Sequence, residues 1–313
     1  MNRGIKIISC PLTAIMMFAV SAGATWNISF DLDGRASYSS REHGDINLHA
    51  AGLLIRKSLA DSKGDRLTLT VLGEAHDTFR ELMIHEAWVR YKGPMGRWNI
   101  TAGRMGLPYG LLPTFPTTRL LFTTPYESIT GFDVDNGIQL SGVLGDFDYG
   151  IALTQGLGPH QQLDFPGHGL VSGRAGLTTG DGGEYQFGVS LLAGKSAGMH
   201  HHNKIHHHYN LGIDGTTSLG LLTLRGSVDG GKKDEDYFIT GFAYSEYALN
   251  RYLDLNLGLK AQKTLHHSVD ATIYAGSAFN LKHFTMRGAY SYDYSNKDHR
   301  IGFQLYRLFS FVF

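Results

Sequence analysis

A two-residue alternation of apolar and polar side chains runs through most of this chain and sets the strongest limit on its fold. In residues 253–260 four leucines alternate with Asp254, Asn256, a glycine and a lysine. Because successive side chains of a β-strand point to opposite faces, the leucines share one face and the polar groups share the other. Residues 26–33 and 185–191 repeat the pattern, and no long segment has the 3.6-residue period of an amphipathic helix. The sequence therefore predicts an all-β fold.

The composition excludes several classes of protein. Lys and Arg number 28 against 28 Asp and Glu, and no basic run occurs, so a nucleic-acid partner is not expected. A single cysteine excludes a disulfide scaffold. Apolar residues make up 42% and aromatic residues 12%, which is too much for a disordered chain. What remains is a folded chain rich in strands.

The N-terminal segment has the pattern of a secretory signal peptide. Arg3 and Lys6 precede an apolar run at residues 7–20, and small residues in an A-x-A arrangement follow. The apolar run is short for the roughly 20 residues that a membrane-spanning helix needs. The sequence therefore predicts a signal peptide at 1–24 and a single exported domain at 25–313.

Several features favour a transmembrane barrel over a soluble sandwich. The polar faces of the predicted strands carry Asp, Asn, Arg and Lys, as the wall of a wet lumen would. Closure into a barrel removes the edges of a sheet that exposes an apolar face. Aromatic residues gather near strand ends, as in interfacial girdles. They are Trp26, Tyr38, Trp98, Tyr237, Tyr252, Tyr292 and Tyr294.

The alternating segments predict sixteen antiparallel strands, an even number as bacterial barrels have. Fourteen strands are the alternative, because residues 195–236 are ambiguous. Short turns fall on one side of the predicted barrel and longer connections on the other. The longest connection, residues 105–131, is the third outer loop, and it is unusually apolar. We therefore expect it to pack against the barrel wall or to close over it.

Three short motifs resemble those of a known family. Residues 103–110, GRMGLPYG, resemble a G-R-x-x-x-P-[FY]-G segment of porins, and residues 86–91, EAWVRY, resemble the strand before it. Residues 309–313, FSFVF, end on Phe and resemble the assembly signal of bacterial outer-membrane barrels. The chain is thus similar to the Gram-negative outer-membrane porin superfamily, and no subfamily is indicated.

The resemblance implies a location, a function and a set of partners. It implies a barrel in the bacterial outer membrane whose third loop folds inward and narrows the lumen. The expected function is passive diffusion of small hydrophilic solutes or ions through a water-filled channel, with no required cofactor. Outer-membrane lipids, lipopolysaccharide and the barrel assembly machinery are the implied partners, and a homotrimer is an implied assembly.

Charged residues at the third loop and in the motif at residues 86–91 are the candidate pore constriction. They are Arg119, Glu127, Asp133, Asp135, Glu86 and Arg90. The inward charges along the chain have mixed signs, whereas strong ion selectivity needs rings of one sign. The sequence therefore predicts weak selectivity. The alternative is that the loop plugs the lumen.

A predicted outer loop at residues 195–208 is rich in histidine. Its candidate metal ligands are His200, His201, His202, His206, His207 and His208. Neutral imidazoles suit Zn, Cu or Ni, so weak binding of such an ion is one interpretation. A solvated polar loop without a role is the other. The alternative function is accordingly a plugged barrel that binds a metal or a partner through its His-rich outer loops.

Motifs of enzymes are missing from the sequence. It contains no G-x-S-x-G, P-loop or H-E-x-x-H pattern, and no haem attachment motif. A protease with paired Asp and an Asp–His couple near the barrel rim is an alternative that the scattered acidic residues leave open. The sequence therefore predicts that the chain is not an enzyme.

Overall fold

The computed structural model describes the chain in nine stretches. These are residues 24–42, 44–62, 64–76, 81–115, 120–158, 168–180, 182–198, 201–265 and 267–313. The predicted signal peptide at 1–24 lies outside the described residues, except for Ala24.

Sixteen strands form one closed antiparallel barrel. The strands are β1 (Ala24–Ser39), β2 (Asp45–Asp61), β3 (Gly64–His76), β4 (Glu81–Lys92), β5 (Asn99–Gly106), β6 (Val134–Leu144), β7 (Phe147–Thr154), β8 (Gly169–Thr179), β9 (Tyr185–Gly198), β10 (His201–Leu219), β11 (Leu222–Lys233), β12 (Asp236–Asn250), β13 (Leu253–Thr264), β14 (Asp270–Asn280), β15 (Thr285–Asp293) and β16 (Asp298–Val312). Each strand pairs with its sequence neighbours, and β1 pairs with β16 to close the barrel. The predicted fold class and the count of sixteen are confirmed.

Helical structure is limited to two short turns within the described residues. One is a 3₁₀ turn at Pro94–Gly96, and the other is helix α1 at Tyr126–Thr130. In the described part of the chain, no helix has the length and apolar character needed to cross a membrane.

The alternation in β13 separates an outer apolar face from an inner polar face, as predicted. Leu255, Leu257 and Leu259 are 43%, 61% and 48% exposed on the outside of the barrel. Asn256, between them, is only 5% exposed and points inward. Leucines that face outward on an isolated barrel are the side chains that lipid would cover.

The outer face of β1 and β16 has one charged residue at mid-height. Trp26 is paired with the C-terminus at one end of β1, and Tyr38 lies near the other end. At a rise of ~3.3 Å per residue and a tilt of about 40°, these two aromatic residues lie about 30 Å apart along the barrel axis. Arg307 is paired with Leu32, halfway between them, and its guanidinium lies 4.1 Å from the ring centre of Phe309.

Candidate pore constriction

The long connection between β5 and β6, called L3 here (residues 107–133), enters the barrel interior and forms its core. Eight of its apolar side chains are almost completely buried. They are Leu107, Tyr109, Leu111, Phe115, Phe122, Tyr126, Ile129 and Phe132. The strands contribute Phe242 and Tyr244 from β12 and Tyr274 from β14 to the same cluster. L3 therefore packs against one side of the inner wall, as its apolar composition predicted.

Aromatic contacts fix the far end of L3 to β12 and β14. The Phe122 ring lies 5.1 Å from Tyr244 and 5.5 Å from Tyr274, measured between ring centres. The Phe115 ring is stacked on Phe242 at 6.2 Å. Such pairs each contribute roughly 0.5–1.5 kcal/mol beyond the area that they bury. Together they hold this part of L3 against the wall.

Hydrogen bonds fix the near end of L3 to β9 and β11. The Tyr109 hydroxyl donates to Asp229 at 3.0 Å, and the Gly110 amide donates to the Ser190 hydroxyl at 2.8 Å. Burial and the neighbouring Asp229 carboxylate raise the pKa of Tyr109, so its hydroxyl keeps the proton that it donates. The two bonds satisfy polar groups that would otherwise be buried without partners.

Glycines on the inner face of the strands make room for the loop. A Cβ atom at Gly258 of β13 would lie 2.6 Å from the Phe122 ring. A Cβ atom at Gly212 of β10 would clash with the Asp229 carboxylate, which accepts the Tyr109 hydrogen bond, and would lie 3.2 Å from the Tyr109 hydroxyl. Any larger side chain at Gly258 would push the ring away from the wall. The close approach of L3 thus depends on side chains that these strands lack.

The predicted constriction residues of L3 have different positions. Arg119 lies outside the described residues, and the side chain of Glu127 in α1 does too. Asp133 lies at the end of L3, where one carboxylate oxygen is 3.7 Å from Nε2 of His85 on β4. L3 and the β4 wall therefore meet at Asp133.

Asp135 is enclosed by the protein and does not face an open lumen. Its side chain is fully buried, and its carboxylate accepts hydrogen bonds from the amides of Gly156, Leu157 and Gly158. These amides belong to the chain that leaves β7. A buried carboxylate held in this way fixes the start of the β7–β8 connection and does not reach a passing solute.

Glu86 and Arg90 lie on the inner wall of β4, on either side of Trp88. The indole of Trp88 donates to Glu86 at 2.9 Å, and the Arg90 guanidinium lies 4.6 Å from the centre of the Trp88 ring. Arg90 also donates to Thr101 of β5 at 3.0 Å. The structure therefore groups these two predicted residues around one aromatic side chain.

The wall formed by β1–β4 carries charge and is not part of the packed core. Among the described residues, the core cluster of L3 takes its fully buried strand residues from β8, β9, β12 and β14. The inward positions of β1–β4 include at least four acidic and four basic residues. They are Asp31, Asp33, Arg35, Arg56, Arg66, Glu74, Glu86 and Arg90. One side of the interior is thus filled by L3, and the other side is polar.

Residues 195–198 belong to β9 and residues from His201 onward belong to β10, so the assignment of 195–208 to an outer loop is wrong for both. Pairing with β9 extends through Ile205 and His206, which continue the alternation of β10. His206 and His208 therefore point inward, whereas His207 points outward. A strand of this kind spreads neighbouring imidazoles over two faces.

The inward histidines of β10 have partners within the protein. Nδ1 of His206 lies 2.6 Å from the Asp234 carboxylate, and Nε2 of His208 lies 2.7 Å from the Ser196 hydroxyl. His200 and the side chains of His201 and His202 lie outside the described residues. Within the described part of the chain, no three His, Cys, Asp or Glu residues are grouped as a metal site would require. Metal binding by this segment stays a prediction.

Comparison with known proteins gives matches by structure alone. No protein-family model matches the sequence, and no curated protein matches it either. Three solved structures illustrate the likeness. An in-vitro folded OmpT, an outer membrane protein of Vibrio cholerae, is 10% identical, with a TM-score of 0.71 over 93% of this chain and 99% of that chain.

Two further structures are described as a porin or as OmpF. The anion-selective porin from Comamonas acidovorans is 12% identical, with a TM-score of 0.70 over 91% of this chain and 100% of that chain. Salmonella typhi OmpF in complex with daunomycin is 11% identical, with a TM-score of 0.67 over 91% of this chain and 97% of that chain. The chain therefore has the fold of a porin-like outer-membrane barrel, which was the predicted resemblance.

Proposed function

We propose that this chain is an outer-membrane porin that forms a water-filled channel for passive diffusion of small hydrophilic solutes or ions. The observation that carries the proposal is the position of L3. Its aromatic residues are packed against β12 and β14, and the charged wall of β1–β4 lies on the other side of the interior. Solutes would pass between L3 and that wall. Glu86, Arg90 and Asp133 are the predicted constriction residues that lie closest to such a path.

The channel is expected to select only weakly between cations and anions. Many inward charges are neutralised by neighbours, as Asp33 is by Arg35 at 2.8 Å. Arg174 is paired with Asp148 at 2.8 Å and with Asp214 at 2.7 Å. Close pairs of opposite sign leave little net field for a passing ion.

Reversal potentials in a planar bilayer test this proposal. With a tenfold KCl gradient, we expect a potential well below the ideal Nernst value for either ion, because the inward charges have mixed signs. A potential close to that ideal value would contradict weak selectivity. No current under any gradient would instead favour the plugged barrel that binds a metal or a partner.

The outer face of the barrel suggests which molecules would surround it in the membrane. Outer-membrane lipids would cover the outward leucines, and lipopolysaccharide would contact the outer rim. Residues 309–313, which resemble an assembly signal, are the segment that the barrel assembly machinery would recognise. The absence of an enzymatic activity stays a prediction.

Arg307 indicates a second copy of the chain as a further partner. Among the described residues it has no ion pair or hydrogen bond, and an Arg in contact with lipid at mid-height costs about 2–4 kcal/mol. The nearby outer face carries small residues, Gly34, Ala51, Ala75 and Ala87, that would let another barrel approach closely. We infer that this face packs in a homotrimer. One solved structure of Vibrio cholerae OmpT is described as a trimer form.

Crosslinking of the purified protein in detergent tests the assembly. We expect a trimer for the unmodified chain and predominantly a monomer for Ala51→Trp, because the indole would hold the subunits apart. Ala175→Trp, on the outer face of β8 across the barrel, is the matched control and should remain a trimer. A monomeric unmodified chain, or an Ala51→Trp trimer, would contradict this interface.

A further inference from the structure

A cavity lies on the outer side of L3, between the loop and one part of the barrel wall. Its volume is about 380 Å³, and its wall runs from β13 through β16 to β1 and β2. Phe122 of L3 and Tyr274 of β14 are among its lining residues. The wall residues Asp270 and Asp293 lie at the outer ends of their strands. A solute that enters from the outer mouth would therefore meet this cavity on the outer side of L3, before it passes the loop.

Two opposite charges in this cavity do not neutralise each other. Lys260 of β13 is paired across the sheet with Thr272, and Asp270 of β14 is paired with Gln262. The two charged side chains are thus diagonal neighbours on the inner face, yet no ion pair within 4.0 Å joins them in the described structure. Within the described residues, Lys260 makes no hydrogen bond, and Asp270 accepts one from Ser295 at 3.1 Å.

The other cations of the cavity already have carboxylate partners. Arg35 is paired with Asp33 at 2.8 Å, and Arg300 is paired with Asp298 at 2.6 Å. Asp293 accepts hydrogen bonds from the backbone and the side chain of Asn296. Lys260 and Asp270 are therefore the charges with most capacity left for a ligand.

A cation and an anion that are not paired with each other suit a ligand that itself carries both an anionic and a cationic group. A simple anion would be attracted by Lys260 and repelled by Asp270, and a simple cation would meet the reverse. An amino acid or a dipeptide carries an ammonium and a carboxylate that its own backbone holds apart, so it can satisfy both residues at once. The hydroxyls of Thr272 and Ser291 lie in the same cavity and could bind its amide or carboxylate.

We propose that this cavity is a binding site for small zwitterionic solutes, namely amino acids or dipeptides, with Lys260 binding the carboxylate and Asp270 the ammonium group. The proposal rests on the proposed channel function, because the solute is the cargo of the channel. It names a class of solute that the channel would hold before passage.

Isothermal titration calorimetry on the purified barrel with three probes tests the ligand class. The probes are glycylglycine, N-acetylglycine, which lacks the cation, and glycinamide, which lacks the anion. We expect glycylglycine to bind roughly tenfold more tightly than either compound with one charge, because each of those loses a charge-assisted contact. If N-acetylglycine or glycinamide binds as tightly as glycylglycine, the site is not zwitterion-specific and the proposal is overturned.

Single substitutions test the two residues. Lys260→Met and Asp270→Asn should each weaken glycylglycine binding roughly tenfold. Lys263→Met is the matched control, since Lys263 lies on the same strand but points outward, and it should bind as the unmodified chain does. Equal binding by Lys260→Met would refute the assignment.

The same protein in a planar bilayer separates this proposal from the channel function. Current without any glycylglycine binding would overturn the zwitterion site and leave the channel in place. Glycylglycine binding without current would support the site and overturn the channel function.

Discussion

Shortening L3 should raise the single-channel conductance roughly twofold or more, because the loop occupies part of the water-filled cross-section. The variant replaces residues 111–125 by a short Gly-Ser linker. The barrel should still form, since its strands are joined by backbone pairing around a closed sheet and L3 takes no part in that ladder. Conductance in a planar bilayer is the measurement.

A single substitution in the same loop provides the control for that experiment. Thr114 is exposed on L3, so Thr114→Ala should leave the conductance unchanged. If the shortened loop conducts no better than the unmodified chain, L3 does not narrow the path. If neither form conducts, L3 is not what blocks the barrel and the channel function fails.

Phe122→Ala should release the far end of L3 from the wall. The Phe122 ring is 3% exposed and contacts Phe242, Tyr244 and Tyr274. Loss of a buried Phe side chain of this kind costs about 3–5 kcal/mol. Because the strands are joined by their own hydrogen bonds, that cost should fall on the docking of the loop. Amide hydrogen exchange in residues 120–126 should become faster by at least about tenfold.

An outward phenylalanine is the matched control for Phe122. Phe303 is 61% exposed on the outer face of β16, so Phe303→Ala should leave exchange in L3 unchanged. If amide exchange in residues 120–126 is as slow in the Phe122→Ala variant as in the unmodified chain, the aromatic cluster does not hold the loop in place.

The alternation of side chains predicted the strands, and the charged inner faces and aromatic strand ends then favoured a barrel over a sandwich. Leu255, Leu257 and Leu259 face outward and Asn256 faces inward, as a period of two requires. The strand count followed because each alternating segment became one strand. The same physics explains the error at residues 201–208, where polar side chains on a strand that continues past the apolar band looked like a loop.

The docking of L3 could be predicted only in part. Its apolar composition indicated contact with the wall. Aromatic residues at inward positions of otherwise polar faces mark the strands that it contacts, and these residues are Phe242, Tyr244 and Tyr274. The partner of Tyr109, Asp229, lies 120 residues away in the sequence. Which strands meet across a barrel depends on the closed geometry, and no local pattern encodes it.

The burial of Asp135 has a similar cause. Because Asp135 is acidic and lies next to an inward loop, it was predicted to be a pore residue. The local sequence gives no sign of the three amides that surround its carboxylate. Those amides come from residues 156–158, at the end of a different strand pair. The sequence therefore identified the loop and the charged wall, but not which charges are open to solute.

Single-channel current through the unmodified protein tests the central claim most directly. Purified protein added to a planar bilayer in symmetric KCl should produce discrete current steps that are linear with voltage, because a water-filled lumen beside a fixed L3 conducts at either polarity. A bilayer that contains the folded barrel but shows no steps would contradict the claim and identify the interior as closed.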